Sequence, residues 1–221
     1  YLVEDVNGDG IDDFVSSVGK APKEKSQTHI STGLEIDRIN IITEQARTFK
    51  IEYKPASDKS VHKQKRYFDY PYLNTTPSKQ LVANVVKEPK GYAATRYSYH
   101  YEGAKSHALG GGFLGFAKIT EVETNNGSFL GNKYDFVTTT TVSEYHQLDL
   151  KRAGELKKVS VYKQGKGAKP FVYRESDKVS ATDFSYTSVD RTNSAFQVYP
   201  NKVVKKSYEN GALQKTETIT R

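Results

Sequence analysis

The chain of 221 residues carries a net charge of +7 and contains neither Cys nor Met. The lack of Cys excludes disulfides, thiolate metal sites and a cysteine nucleophile. The lack of Met leads us to expect a processed or excised piece of a longer chain. The length suffices for one large β domain or two small ones.

The composition favours an all-β protein. Its 16 Tyr and 10 Phe residues suit half-exposed sheets, because Tyr buries a ring while its hydroxyl stays in water. The 33 basic residues are scattered along the chain with only short clusters. We therefore expect them on the solvated face of a sheet, with no nucleic-acid partner. No apolar stretch is long enough to cross a membrane, so direct membrane insertion is not expected.

Residues 1–18 are predicted to form a strand, a tight acidic loop and a second strand. Oxygen side chains recur at alternate positions of residues 5–13, and Gly10 permits the bend. Ca²⁺ takes about six to eight oxygen ligands and tolerates irregular geometry. We therefore predict a structural calcium site, and its candidate ligands are Asp5, Asn7, Asp9, Ile11 (through its carbonyl) and Asp13.

The calcium prediction has two alternatives. An EF-hand would need Glu at the twelfth loop position, where this chain has Ser16. It would also need helices on both sides of the loop, where strands are predicted instead. The remaining alternative is an acidic hairpin turn that holds no ion.

Strand signals follow from residue 29 onward, after a polar loop over residues 19–28. The clearest alternation lies in residues 49–54, where Phe49, Ile51 and Tyr53 face one way and Lys50, Glu52 and Lys54 the other. Residues 55–79 contain three Pro and are predicted to be a long connection, with room for an edge hairpin.

Two further strands are predicted in residues 80–101, and a glycine-rich stretch over 103–115 then turns the chain. In the second strand, Tyr97, Tyr99 and Tyr101 share one face and Arg96, Ser98 and His100 the other. Beyond the turn signal at residues 125–127, short strands are predicted at 133–146, 154–163, 170–175, 181–189, 195–200, 202–208 and 212–220. This spacing favours extended, meandering antiparallel sheets.

No catalytic residue is predicted, and we expect no enzyme. The five histidines lack zinc-type spacing, and we expect surface or cross-strand positions for His29, His62, His100, His107 and His146. Residues 110–112 are all Gly but no Lys-Ser/Thr follows, which favours close backbone packing over phosphate binding. Glu121 and Glu123 form a Glu-x-Glu pair like that of ADP-ribosyltransferases, but no Ser-Thr-Ser strand precedes it.

The order of these segments resembles that in the B component of bacterial Tc insecticidal toxins and in the related SpvB-type and Rhs-type proteins. The sharpest match is the aromatic-glycine block of residues 97–104 and 112–116. Residues 38–55 and 148–156 are also similar, and residues 5–13 resemble the calcium loop of an FG-GAP/VCBS repeat. One position departs, because the family usually has Arg where this chain has Gly111.

The resemblance implies a non-catalytic structural fragment of an exported bacterial toxin-complex protein, secreted or at the cell surface. Residues 1–28 would end a propeller blade, and residues 29–221 would form a segment of a β shell, with a sub-boundary near 125–132. The shell would enclose or present a toxic effector.

The expected partners are other segments or subunits of the same toxin complex. Open sheet edges also allow an edge-mediated homo-oligomer. The alternative function is a calcium-dependent surface adhesion or glycan-binding module, in which exposed Tyr97, Tyr99 and Tyr101 stack on sugars.

Overall fold

The chain folds as a system of β-strands. The computed structural model describes residues 2–4, 13–16, 27–29, 38–65, 70–125, 128–129, 132–133, 138–165, 168–190 and 196–220, with the backbone alone for 2–4, 13–16, 27–29, 128–129 and 132–133. Seventeen strands and one short 3₁₀ helix make up the described regular structure. The predicted all-β class is therefore confirmed.

A small antiparallel sheet contains the first three strands, β1 (Leu2–Glu4), β2 (Asp13–Ser16) and β3 (Gln27–His29). Glu4 pairs with Asp13, so the strands predicted on either side of the acidic loop are confirmed. β3 contains residues from both sides of the boundary at 28, and the division into two domains stays a prediction.

The second sheet has 12 strands, ten of which follow one another along its main path. In the order β17 to β4, these ten strands are β17 (Ala212–Thr220), β16 (Phe196–Glu209), β15 (Lys178–Asp190), β14 (Leu156–Gln164), β13 (Thr138–Tyr145), β10 (Gly112–Asn125), β9 (Thr95–His107), β8 (Gln80–Pro89), β5 (Arg47–Pro55) and β4 (Ile41–Glu44). Every pairing along this path is antiparallel, so the predicted meander is confirmed.

Two short strands complete this sheet. β8 pairs with only the first part of β9, from Thr95 to Ser98. Further along β9, the strands β6 (His62–Lys63, parallel) and β7 (Tyr72–Asn74, antiparallel) pair with it. The Pro-containing connection therefore covers the edge that β8 leaves open. A separate hairpin of β11 (Ser128–Phe129) and β12 (Asn132–Lys133) lies in the sequence between β10 and β13.

The predicted alternation of β5 and β9 is confirmed. In β5, Lys50 and Glu52 are exposed while Phe49, Ile51 and Tyr53 are half-buried. In β9, the three Tyr residues alternate with Arg96, Ser98 and His100 in the register with β10. A polar chain crosses the other face, since Ser98 donates to Asn84 at 2.7 Å and Asn84 donates to Glu52 at 2.7 Å.

Buried residues are concentrated at the centre of the large sheet. One cluster contains Ala56, Val61, Leu81 and Ala83, with Tyr101 and Phe116 packed against it. A second set follows the register of β10, β13, β14 and β15, and its buried members are Thr120, Val122, Thr140, Val142, Ser160, Tyr162 and Ala181. These residues form two rows, Thr120-Val142-Ser160-Ala181 and Val122-Thr140-Tyr162, across neighbouring strands.

The strand predicted at residues 170–175 is wrong. These residues form a turn and an irregular segment, followed by a 3₁₀ helix at Glu175–Asp177. Phe171 has a left-handed φ of 62°, which a continuous strand does not allow. The segment packs on the large sheet, with ring centroids 5.5 Å apart for His100 and Phe171 and 4.4 Å apart for Tyr162 and Tyr173.

The two strands predicted at 195–200 and 202–208 form the single strand β16. The register with β15 shifts between Ser185 and Tyr186, which leaves Asn201 without a paired residue. Its amide donates to Thr187 at 2.6 Å. Pro200 lacks an N–H, and Pro is often found at such irregularities. The interruption predicted between these two strands is therefore a bulge within one strand.

Burial falls toward both ends of the large sheet. All nine residues of β17 and all four of β4 are exposed. Within the described part of the chain, no helix combines the length and apolarity that crossing a membrane requires.

Candidate functional site

The predicted calcium ligands cannot be assembled into a site. Asp5, Asn7, Asp9 and Ile11 lie outside the described residues. Asp13 begins β2, and only its backbone is described. The calcium site therefore stays a prediction. Elsewhere in the described ranges, His, Asp and Glu side chains form no group of three suited to a metal ion.

The aromatic-glycine block forms the centre of the large sheet. Its two stretches lie on the adjacent antiparallel strands β9 and β10, and the register shifts between Phe113 and Phe116. Gly103 and Gly115 have φ values of 67° and 82°, which residues with a side chain rarely adopt. A Cβ on Gly103 would also lie 2.9 Å from the Lys65 Cδ atom. The glycines therefore allow a bulge that bends the two longest central strands.

Gln147 connects Gly103 of β9 with Gly115 of the β10 bulge. It is only 6% exposed, and its side-chain amide donates to the Gly103 carbonyl at 2.9 Å and to the Gly115 carbonyl at 2.7 Å. Bulges leave backbone groups without ladder partners, and burial makes such groups costly. Gln147 satisfies the Gly115 carbonyl inside the bulge and also bonds to the Gly103 carbonyl on β9. This contact was not predicted from the sequence, because a single Gln after a strand carries no local signal.

Gly111 allows a close approach of two chain segments. A Cβ there would lie 2.8 Å from the His107 Cβ atom and 2.9 Å from Leu150 Cδ2. These distances support the predicted close packing at Gly111, whereas a Cβ on Gly110 or Gly112 would have no neighbour within 4 Å. They also give a local reason why the larger Arg of the resembled family does not fit at this position.

The structure brings together two stretches on which the resemblance rests. Residues 112–116 and 148–156 meet at a groove of about 560 Å³, which is lined by Gly111, Phe113, Leu114, Gly115, Leu150, Ala153, Gly154 and Phe196. Phe113 and Leu150 are partly exposed in it. The Lys79 ammonium group lies 4.0 Å from the centre of the Phe113 ring. The groove is thus largely apolar, with one cation at Phe113.

The Tyr residues of β9 are less exposed than predicted. Tyr97, Tyr99 and Tyr101 are all half-buried. Tyr101 packs on the core, and its hydroxyl donates to the Val82 carbonyl at 3.1 Å. Its ring centroid is 4.9 Å from that of Phe116. Tyr101 is therefore a core residue, and only Tyr97 and Tyr99 remain for surface contacts.

Two carboxylates lie beside the remaining Tyr residues. Glu123 is opposite Tyr97 and Glu121 is opposite Tyr99. Burial, and then the charge of Glu121, raises the pKa of Tyr99 well above its usual range. Burial, followed by Glu123 and Glu121, also raises the pKa of Tyr97. Both phenols are therefore neutral hydrogen-bond donors at neutral pH, beside carboxylate acceptors.

A row of alternating charges crosses five strands. In the sheet register, Glu102, Lys118, Glu144, Lys158 and Asp183 follow one another from β9 to β15. Lys118 forms an ion pair with Glu102. Burial opposes protonation of Lys118, but its bond to Glu102 and the neighbouring charges raise its pKa. Opposite charges on neighbouring strands stabilise pairing, so this row favours the observed register.

Two histidines lie beside a cleft of about 430 Å³, which also contains Lys59 and Lys63. His62 is 4% exposed, and its Nδ1 donates to the Ala56 carbonyl at 2.9 Å. Burial lowers its pKa, and His100 contributes in the same direction. His62 pairs with Tyr101 across β6 and β9, as expected for a cross-strand position.

Comparison with protein-family models and with curated proteins returned no match for this chain.

Proposed function

We propose that the chain is a non-catalytic wall segment of an exported bacterial toxin-complex protein of the Tc, SpvB or Rhs type. Its sheet would form part of a β shell that encloses or presents a toxic effector. The observation that carries the proposal is the long antiparallel meander with exposed strands at both ends. Such a sheet is extended by adding strands at either edge, which is how a wall is built.

The central bulge also supports this proposal. The bulge between Phe113 and Phe116 contains Gly115 and bends and twists β10, and Gly103 on the neighbouring strand also has a left-handed φ. Sheets that curve around a volume need such bends at defined positions. Gln147 bonds to both glycine carbonyls, so the bend is held by buried hydrogen bonds. The proposed role of the aromatic-glycine block is to set and hold the curvature of the wall.

In this proposal calcium is a structural ion at Asp5, Asn7, Asp9, Ile11 and Asp13. It would reduce the repulsion among three carboxylates and would rigidify the turn between β1 and β2. Isothermal titration of the chain with Ca²⁺ tests this directly. We expect one binding event that Asp9→Ala removes and Asp149→Ala retains, and equal heats for the native chain and Asp9→Ala would contradict it.

The gene and the full protein test the wall itself. We expect a long reading frame with further β-rich segments and a variable C-terminal region, as in the resembled toxins. Electron microscopy of that full protein would then place this sheet in the wall of a hollow shell. A reading frame that ends near residue 221, or a compact particle without a cavity, would contradict the proposal.

The second candidate is a calcium-dependent adhesion or glycan-binding module. The observation that favours it is the group of Tyr97, Tyr99, Glu121 and Glu123 on one sheet face. Aromatic rings stack on sugar rings, and carboxylates accept bonds from sugar hydroxyls. A glycan array with and without Ca²⁺ tests this candidate. Specific binding that Tyr97→Ala removes would support it, and no binding in either condition would reject it.

A further inference from the structure

Among the described strands, β17 is the last in the order of the large sheet. β17 pairs with β16 on one side and is the end of the strand order. All nine of its residues are exposed, and no strand of the described ranges pairs with its outer edge. An edge of this kind presents a row of unpaired N–H and C=O groups to any strand of matching register.

The side chains of β17 are self-complementary in one antiparallel register. Lys215 and Glu217 lie two residues apart and therefore share one face of the strand. A two-fold axis through Thr216 sets Lys215 of each copy opposite Glu217 of the other. Two opposite-charge pairs then lie on one face, with the two Thr216 hydroxyl groups on the other.

The neighbouring registers lack this complementarity. An axis through Lys215 sets the two Lys215 side chains opposite each other, and an axis through Glu217 does the same with the two carboxylates. Like charges directly opposite are destabilising. Registers centred between two residues place the facing side chains on different faces of the sheet. Within β17, only the Thr216 axis sets Lys215 opposite Glu217.

The charges needed for this pairing are available. Lys205 of β16 is opposite Glu217, and Ser207 is opposite Lys215. Among the described residues, neither Lys215 nor Glu217 forms an ion pair within its own chain. In the two-fold arrangement, Glu217 would lie between Lys205 of its own chain and Lys215 of the second copy.

We propose that two copies of this chain associate through antiparallel pairing of β17 with β17, on a two-fold axis at Thr216. The large sheet of one copy then continues into that of the other. A bulge between Leu213 and Lys215 limits the regular pairing to a few residues. The interface is therefore small, and the dimer forms in a concentration-dependent manner. This pairing does not depend on the toxin-complex assignment.

Charge reversal tests the register. The 221-residue chain is compared with Lys215→Glu, Glu217→Lys and the double swap in analytical ultracentrifugation over a range of concentrations. Each single variant sets like charges opposite each other twice per dimer, and we expect its dimer dissociation constant to rise about tenfold or more. The double swap restores both pairs, and we expect a constant within about threefold of the native one.

A matched control separates the register from general charge effects. Lys163→Glu makes the same change on an exposed residue of β14, three strands away in the sheet order. We expect it to leave the dissociation constant unchanged. Circular dichroism of each variant confirms that the sheet is retained.

Three results would overturn the proposal. The first is a native chain that stays monomeric at every concentration. The second is a double swap as weak as the single variants. The third is mass that grows beyond a dimer, which would indicate pairing of β17 with the β4 edge. In the proposed wall a further strand of the longer protein would occupy this edge, so the dimer is tested on the 221-residue chain and the shell on the full protein. The inference and the proposed function therefore fail independently.

Discussion

Strands β9 and β10 at the centre of the large sheet differ from β16 and β17 at its end in burial, although both pairs form long antiparallel ladders. β9 and β10 contain 13 and 14 residues and include buried Ala104 and Val122. β16 and β17 contain 14 and nine residues, and all of β17 is exposed.

The two regions show that a strand can form without being packed under another layer. A hairpin attached to a sheet keeps its shape through backbone hydrogen bonds and cross-strand pairs, even where no layer covers it. Burial of apolar surface is the main stabilising contribution, and it is concentrated at the centre. The end of the sheet is therefore the part that opens most easily, and it is also the part with a free edge.

The largest expected difference between the two regions lies in two leucines. Leu81 is 6% exposed in the core cluster, and Leu213 is 55% exposed in β17. We expect Leu81→Ala to lower the free energy of unfolding by about 3 kcal/mol, because it removes buried methyl groups and leaves a cavity. Leu213→Ala should change it by no more than about 0.5 kcal/mol. Denaturant unfolding of both variants checks this, and equal losses would erase the distinction between the regions.

The hydrogen bonds of Gln147 at the centre of the sheet give the next largest expected effect on stability. Gln147→Leu keeps much of the side-chain volume but removes both bonds to the glycine carbonyls. We expect a loss of about 2 kcal/mol, because two buried acceptors lose their donor. Gln214→Leu on exposed β17 is the matched control and should cost less than about 0.5 kcal/mol. A Gln147→Leu variant as stable as the native chain would mean that the bulge does not need these hydrogen bonds.

The turn between β16 and β17 is a point where the exposed end of the sheet contacts a segment that is distant in the sequence. Asn210 and Gly211 have φ values of 50° and 78°, as in a type I′ hairpin turn. A Cβ on Gly211 would lie 2.9 Å from the Ser176 Cα atom. We expect Gly211→Ala to cost about 1.5 kcal/mol in unfolding free energy, because backbone strain and a backbone contact combine.

Gly91 is the control for that substitution. Its φ is 81°, but a Cβ there has no neighbour within 4 Å. We expect Gly91→Ala to cost about 1 kcal/mol, from the left-handed conformation alone. If both variants lose the same stability, the contact with Ser176 makes no contribution.

The smallest expected effect is a pH dependence from the centre of the sheet. Burial lowers the pKa of His62, so the folded chain keeps it neutral while the unfolded chain binds a proton near pH 6.5. The unfolded state then binds more protons, and this contribution to stability is present above about pH 6.5 and lost as the pH falls toward the folded pKa. We expect unfolding free energies measured from about pH 7.5 down to pH 5 to fall less steeply in His62→Gln.

Burial also lowers the pKa of His146, which adds a slope of the same sign. The comparison is therefore made in a His146→Gln background. An unchanged slope after His62→Gln would show that the folded chain already binds the proton at His62.

Local sequence determined the all-β class and the alternation of strands β5 and β9. Side chains of a strand point to opposite faces with a period of two, so patterns such as 49–54 and 96–101 specify both the strand and its faces. It also determined the turn at Asn210 and Gly211, since left-handed φ values favour these residue types. These features depend on neighbours within a few positions.

Other features depend on residues that are distant in the sequence, and only the tertiary structure decided them. The segment at 170–175 has strand-like residues but packs as an irregular turn on His100 and Tyr162. The hydrogen bonds of Gln147 join two glycines that lie 44 and 32 positions away. Burial of Tyr101 against Phe116 follows from the pairing of β9 and β10. Packing energy between remote segments overrides local preference in each case, which is why a strand pattern alone does not reveal which strands lie at the centre and which at the edge.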